Sequence, residues 1–308
     1  MSKRRSEVTG VPGHGGGAER GALTWIDSQA NADREYRSRV PGTTPHFRVG
    51  DVEFRCGFDG SRSRFFSIEK DPSRIKGYLQ MVERFQGENF VELGIAFGGS
   101  PALTALVAPP RKLVAVDLKA DRVEALDELI AERGLGERVR LHYGVDQADR
   151  ERLAAILDDE FGDEPLGLVI DDASHRLEET RASFETLFPR LRPGGLFVIE
   201  DWNHEHLLGR AFTAALADRP ELQAQFDRVE TLDPPLTRLV FELVLAQAET
   251  DEFVLEVQLD RNWARIYRGS GELDPSGFRV ADLIMSDFGL LAPLSNAPLW
   301  MRSGYLKG

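Results

Sequence analysis

Five short apolar runs between Asn89 and Asp201, each closed by glycine or carboxylates and separated by helix-length intervals, leave this chain few ways to fold. Asn89 to Leu93 runs into GIAFGGS, Leu113 to Val116 ends at Asp117, and Val139 to Tyr143 precedes the pair Asp146 and Gln147. Leu168 to Ile170 runs into DDASH, and LFVIE ends at Glu200 and Asp201. The intervals carry helical spacing: Val123, Leu126, Leu129 and Ile130 share one face, as do Leu177, Phe184, Leu187 and Phe188. Arg150 to Leu157 supplies a further helix, and Ile75, Leu79, Val82 and Phe85 predict one over 73–85. Ser100 is the expected cap of the helix after the first run, with Pro101 at its first position. Strands joined by helices are the pattern of right-handed parallel crossovers, so the expected fold class is α/β with a doubly wound sheet.

The pattern changes after Asp201. A helix is expected around Leu207 to Leu216, then strand-like stretches at Thr237 to Ala246 and Phe253 to Gln258, with an extension through Trp263 to Tyr267. With no crossover helix between them, the strands are expected to form an antiparallel pair at one sheet edge. Four segments follow: a glycine-rich, charged tail over 1–21, expected to be disordered; an N-terminal arm or substrate cap over 22–72; the core over 73–270; and a segment over 271–308. Leu290, Leu291, Leu299 and Trp300 make that last segment apolar enough to pack on the core or on another subunit, so a homodimer or higher homo-oligomer is expected.

Formal charge and cysteine count narrow the function classes. A net charge of −13 opposes binding to nucleic acid and to anionic membrane. The single cysteine, Cys56, excludes an internal disulfide and a cysteine-cluster metal site. Apolar runs fall short of membrane-spanning length, and the cytoplasm is the default location.

In doubly wound proteins the ligand crosses the carboxyl ends of the strands near the point where strand order reverses. Gly94 and Gly98, with Gly99, allow a ligand close to the first strand–helix turn. Asp117 is placed to accept hydrogen bonds from ribose hydroxyls, while Asp146 and Gln147 are placed to contact a base. A glycine-rich turn alone leaves a nicotinamide cofactor open, although this one is no clean GxGxxG and no GK[ST] follows. The run Glu92, Gly94, Gly98, Gly99, Ser100 resembles the first motif of class I S-adenosylmethionine-dependent methyltransferases. That resemblance implies that Glu92 orients the methionine portion and Asp117 holds the ribose diol, with Ser100 in the same cofactor-binding turn.

Carboxyl ends of adjacent parallel strands converge, so DDASH and the pair Glu200 and Asp201 should meet. Carboxylate oxygens are what a hard divalent ion prefers, and Asp172, Glu200 and Asp201 together can build a magnesium site. A structural ion, or a helix-capping role for one aspartate, remains an alternative. DDASH with the later IED resembles metal-dependent sugar and macrolide O-methyltransferases of natural-product biosynthesis, and the cephalosporin hydroxylase-like family, over roughly Phe90 to Asp201. The resemblance implies a Rossmann-like seven-stranded methyltransferase sheet with an antiparallel C-terminal strand pair. It further implies S-adenosylmethionine and Mg2+ as cofactors, Asp172, Glu200 and Asp201 as metal ligands, His175 as general base, and Asp171 lining the cofactor or backing the metal ligands, a role that its adjacent position makes easy to exchange with that of Asp172. The acceptor implied is a small-molecule hydroxyl, on a sugar or glycosylated natural product, with Trp202, His204 and His206 as candidate contacts. An NAD-dependent oxidoreductase and a non-catalytic methyltransferase-like scaffold are the competing readings.

Overall fold

The computed structural model describes residues 23–26, 45–57, 60–207 and 234–284. The expectations for the tail over 1–21, the helix over 207–216 beyond its first residue, and the apolar residues from Leu290 onward lie outside them. The described chain builds two sheets. The larger has seven strands: β5 (Asn89–Leu93), β6 (Lys112–Asp117), β7 (Val139–Tyr143), β8 (Leu166–Asp171), β9 (Leu191–Glu200), β10 (Val254–Leu259) and β11 (Trp263–Arg268), in the order β10-β11-β9-β8-β5-β6-β7. The five strands from β5 to β9 are parallel, and β11 runs antiparallel to both β9 and β10. Strand order reverses at β5, which pairs with β6 on one side and β8 on the other. The doubly wound fold with its antiparallel C-terminal pair is therefore as expected.

One element is corrected. Thr237–Glu249 is an α-helix, not the first strand of the C-terminal pair, and the pair is β10 with β11. Leu239, Val240, Leu243 and Ala246 are all buried, a spacing that a helix places on one side and a strand would scatter over two. At 13 residues the segment is also longer than an ordinary strand.

Helices cover both faces. On one lie α1 (Pro72–Arg84), α2 (Gly99–Val107) and α3 (Glu124–Glu132); on the other, α4 (Arg150–Phe161), α5 (Leu177–Leu187) and α6 (Thr237–Glu249). The period of two along each strand divides the core accordingly. Phe90, Leu168, Ile170, Leu196 and Val198 join the α1 side, whereas Val91, Val169, Phe197 and Ile199 join the α5 side.

The smaller sheet, β1 (Leu23–Trp25), β2 (His46–Val49), β3 (Val52–Cys56) and β4 (Phe65–Ile68), packs Phe47, Phe54 and Phe66 into the α1-side core. The residues expected to form an arm or cap are thus in part a docked sheet. Three residues after β4, Asp71 caps α1: its Oδ1 accepts from the amides of Ser73 and Arg74, with Pro72 in the first turn. Helix α2 begins two residues earlier than expected, at Gly99, and its N-cap is Gly98 at φ 78° rather than Ser100. Among the described residues no helix is long and apolar enough to cross a membrane.

Candidate functional site

Strand alternation sorts the acids before any ligand is considered. Asp171 lies opposite Ile199 in the β8–β9 register, which brings Asp172 level with Glu200. Glu200 closes β9 on the α1 face, the face also occupied by Glu92 two positions after Phe90. Asp171 goes to the other face and is buried there. Its carboxylate accepts hydrogen bonds from Gln147 Nε2 at 3.0 Å and from the Ser183 hydroxyl of α5 at 2.7 Å. Gln147 also accepts from the Ser174 amide at 3.0 Å, so it ties the loop after β7 to the loop after β8. Burial pushes the Asp171 carboxyl up to about 6, partly offset by Ser183, His175 and Gln147.

Two cations from the start of α1 meet the acids expected to bind metal. Lys70 Nζ is 2.9 Å from Asp172 Oδ2 and 2.9 Å from Glu200 Oε1, with its side chain only 3% exposed. Burial works against the Lys70 charge, but Asp172 and Glu200 outweigh it and hold its pKa well above the ordinary lysine value. Glu200 is pushed up by burial and by Asp172 against the pull of Lys70, because one ammonium is shared by two carboxylates. Arg74 makes a two-pronged pair with Asp201, at 2.7 Å and 3.3 Å, and donates to Asn262 at 3.1 Å. Among the described residues no group of three or more histidines, cysteines and acids is arranged to hold a metal ion. Each of the three acids already has a cationic partner.

Lys70 and Arg74 were not legible as site residues. The signal present was the helix start Lys70-Asp71-Pro72-Ser73, which places Lys70 just outside a cap. Nothing in local sequence says that the carboxyl ends of β8 and β9 lie beside that cap.

His175 stands at the mouth of this cluster, its Nε2 3.8 Å from Asp172 Oδ1 and its ring centroid 5.4 Å from that of His204. Both His175 (φ 56°) and Asp201 (φ 47°) have left-handed backbone, as does Ala96 (φ 47°) in the turn after β5. Among the described residues only Arg64 is the other non-glycine of this kind, so backbone strain concentrates where the sheet's carboxyl ends meet. Trp202 Nε1 donates to the Asp260 carbonyl at 2.9 Å, and His206 Nε2 lies 2.9 Å from Thr237 Oγ1. Those two fasten the segment after β9 to the β10–β11 loop and to α6. His204 keeps its ring beside His175.

Around the turn after β5, Gly94 (φ 97°) is so close to the loop after β8 that a Cβ would collide with the Asp172 carbonyl oxygen. Asp117 organises the same turn. Its Oδ2 accepts from the amides of Ile95 at 2.8 Å and Ala96 at 2.9 Å, and its Oδ1 accepts from Lys119 at 2.8 Å. A carboxylate has about four acceptor positions, so one remains on Oδ1. Asp146 accepts from the Ala148 amide at 2.8 Å. Glu92 is fully buried, and neither of its oxygens makes a well-formed hydrogen bond. Burial pushes its carboxyl up to about 8, eased by the nearby Ser100 hydroxyl and Lys70.

Residues 91–202 match a family model described as a methyltransferase domain. A demethylmacrocin O-methyltransferase of Streptomyces fradiae is 40% identical over 78 residues, 20% of this chain and 19% of that protein. A mycinamicin VI 2''-O-methyltransferase of Micromonospora griseorubida is 50% identical over 64 residues, 21% of this chain and 15% of that protein. These matches span less than a fifth of the length of either relative. A solved structure of the MycE methyltransferase from the mycinamycin biosynthetic pathway, in complex with Mg and SAH, aligns at 25% identity with a TM-score of 0.44, covering 64% of this chain and 49% of that one. The resemblance read from Phe90 to Asp201 is thus borne out where it was drawn: residues 91–202, from β5 to the end of β9, match a methyltransferase domain.

Proposed function

We propose that this protein transfers a methyl group from S-adenosylmethionine to a hydroxyl of a small molecule, a sugar or glycosylated natural product. The observation that carries the reading is Glu92 near the end of β5, whose two oxygens are buried and without a hydrogen-bond partner, just before the strained turn of Gly94 to Ala96. An acid left this way costs free energy unless a donor reaches it. The cationic amino acid portion of S-adenosylmethionine is such a donor, and Asp117 Oδ1 keeps one acceptor position for a ribose hydroxyl. Both groups fit this cofactor. Gly94, Gly98 and Ser100 shape the same turn, and Asp146 stands at the base end. Gln147 and Asp171, bonded to each other on the opposite face, support the loops rather than touch ligand.

When bound, S-adenosylmethionine supplies an electrophilic methyl: the acceptor oxygen takes it as the carbon–sulfur bond breaks, leaving S-adenosylhomocysteine and a proton from the hydroxyl. His175 is our candidate to receive that proton: its backbone is left-handed at the carboxyl end of β8, and its Nε2 lies 3.8 Å from Asp172 Oδ1. His204 flanks it, and an acceptor entering from that side would meet both rings. Magnesium, which the family resemblance implies, does not fit Asp172, Glu200 and Asp201 as they stand beside Lys70 and Arg74. The relatives named for macrolide and sugar-bearing substrates support the acceptor class.

The test is methyl transfer from isotopically labelled S-adenosylmethionine to a panel of deoxysugar-bearing macrolides and aromatic glycosides, read by mass spectrometry. A labelled product that disappears with His175→Ala, while S-adenosylmethionine affinity stays within about threefold, is expected. General base removal typically costs about 10² to 10⁴ in rate. Unchanged turnover in that variant would remove His175 from the reaction.

A further inference from the structure

The strongest unassigned feature is a lysine, buried to 3% side-chain exposure, lying between two carboxylates that the domain resemblance would give to a divalent ion. Lys70 cannot easily leave. It sits between β4 and the cap of α1, its ammonium lies 5.3 Å from the centre of the Tyr78 ring, and Tyr78 is itself buried and bonded to Thr104 Oγ1 at 2.6 Å. Swinging it out would leave the buried Glu200 without its counter-charge, beside the partly exposed Asp172. A magnesium ion binds carboxylate oxygens at about 2.1 Å in a near-octahedral shell. Here the inward oxygens of Asp172 and Glu200 are already spent on an ammonium at 2.9 Å. The third acid, Asp201, faces the guanidinium of Arg74.

We propose that Lys70 is a built-in cation standing in the divalent metal's place, so that Asp172, Glu200 and Asp201 of this chain take up no metal. The inference rests on the proposed methyltransferase reading for its purpose: it sets a fixed positive charge against Asp172, whose other oxygen lies 3.8 Å from His175. There a lysine can favour the developing alkoxide electrostatically, as a metal otherwise would. Lys70 and Arg74 both come from one short stretch, so a single helix start sets two positive charges against the three acids.

The test is titration of the full chain with Mn2+ alone, following free ion by electron paramagnetic resonance, with S-adenosylmethionine binding measured in parallel. Wild type is expected to leave the Mn2+ signal unchanged, Lys70→Ala to take up one equivalent at least tenfold more tightly, and Lys70→Ala/Glu200→Gln to lose it again. One equivalent bound by wild type and lost in Glu200→Gln overturns the proposal. So does a Lys70→Ala chain that binds S-adenosylmethionine, and is therefore folded, yet takes no Mn2+. Should Lys70→Ala fail to fold, wild type against Glu200→Gln decides. A wild type that binds no S-adenosylmethionine counts against the methyltransferase reading, while the metal result stands by itself.

Discussion

Adjacent in sequence, Asp171 and Asp172 point to opposite sides of the sheet and do different work. Asp171 joins Gln147 and Ser183 in a buried network, and Asp172 faces Lys70 and His175. The sequence left their roles exchangeable because DDASH gives no strand register. Once β8 is known to end at Asp171, the period of two separates them. Gln147→Ala should therefore act as a structural lesion. It removes a donor from the buried Asp171 carboxylate and an acceptor from the Ser174 amide, costing about 1 to 3 kcal/mol in urea denaturation.

Glu92 makes a prediction in pH. Folded, its pKa lies at about 8; its ordinary value is 4.5. Between those values the folded chain binds the extra proton, so stability falls as pH rises through the window. Glu92→Gln, which keeps the shape without the charge, should melt above wild type at pH 8 in the absence of ligand, with the gap closing toward pH 5. The gain at pH 8 is expected to be roughly 4 kcal/mol at most. The same change should weaken S-adenosylmethionine binding by about tenfold, the loss of one charge-assisted hydrogen bond. Equal melting of the two proteins at both pH values would contradict a buried, unpartnered carboxyl.

At the scale of elements, the parallel strands were legible because each announces itself twice, by an apolar run and by the glycine or acid that ends it. Asn89–Leu93 and Val139–Tyr143 match the expected limits. Helix α6 was not legible as a helix. Thr237, Val240, Phe241 and Val244 give it the look of a β-rich run, and only the burial of Leu239, Leu243 and Ala246 on one side shows the period. The small N-terminal sheet escaped for a different cause. Its strands have three to five residues, too short for alternation to register, and they are stable because Phe47, Phe54 and Phe66 find the core of the larger sheet. The turn after β5 is the tightest junction between elements. Gly94→Ala would force a Cβ against the Asp172 carbonyl and strain a backbone at φ 97°. We expect it to destabilise the chain by more than about 3 kcal/mol, seen as loss of soluble protein or a collapsed melting temperature.

At the scale of the molecule, the larger sheet gathers residues from 70 to 206 at one crevice while its far ends only support them. Sequence order alone assigned the acids and His175 to that crevice, because parallel strands share their carboxyl ends. It could not supply the cations, since Lys70 and Arg74 arrive from an element that precedes the first parallel strand. The overall charge of −13 does not prevent a local balance of three acids against a lysine and an arginine.

Calorimetric titration of the full chain with S-adenosylmethionine, and separately with NAD, each with magnesium and with chelator, tests the central claim most directly. One equivalent of S-adenosylmethionine bound with the same affinity in both buffers, and no heat from NAD, is the predicted result. Binding of NAD alone would contradict the account.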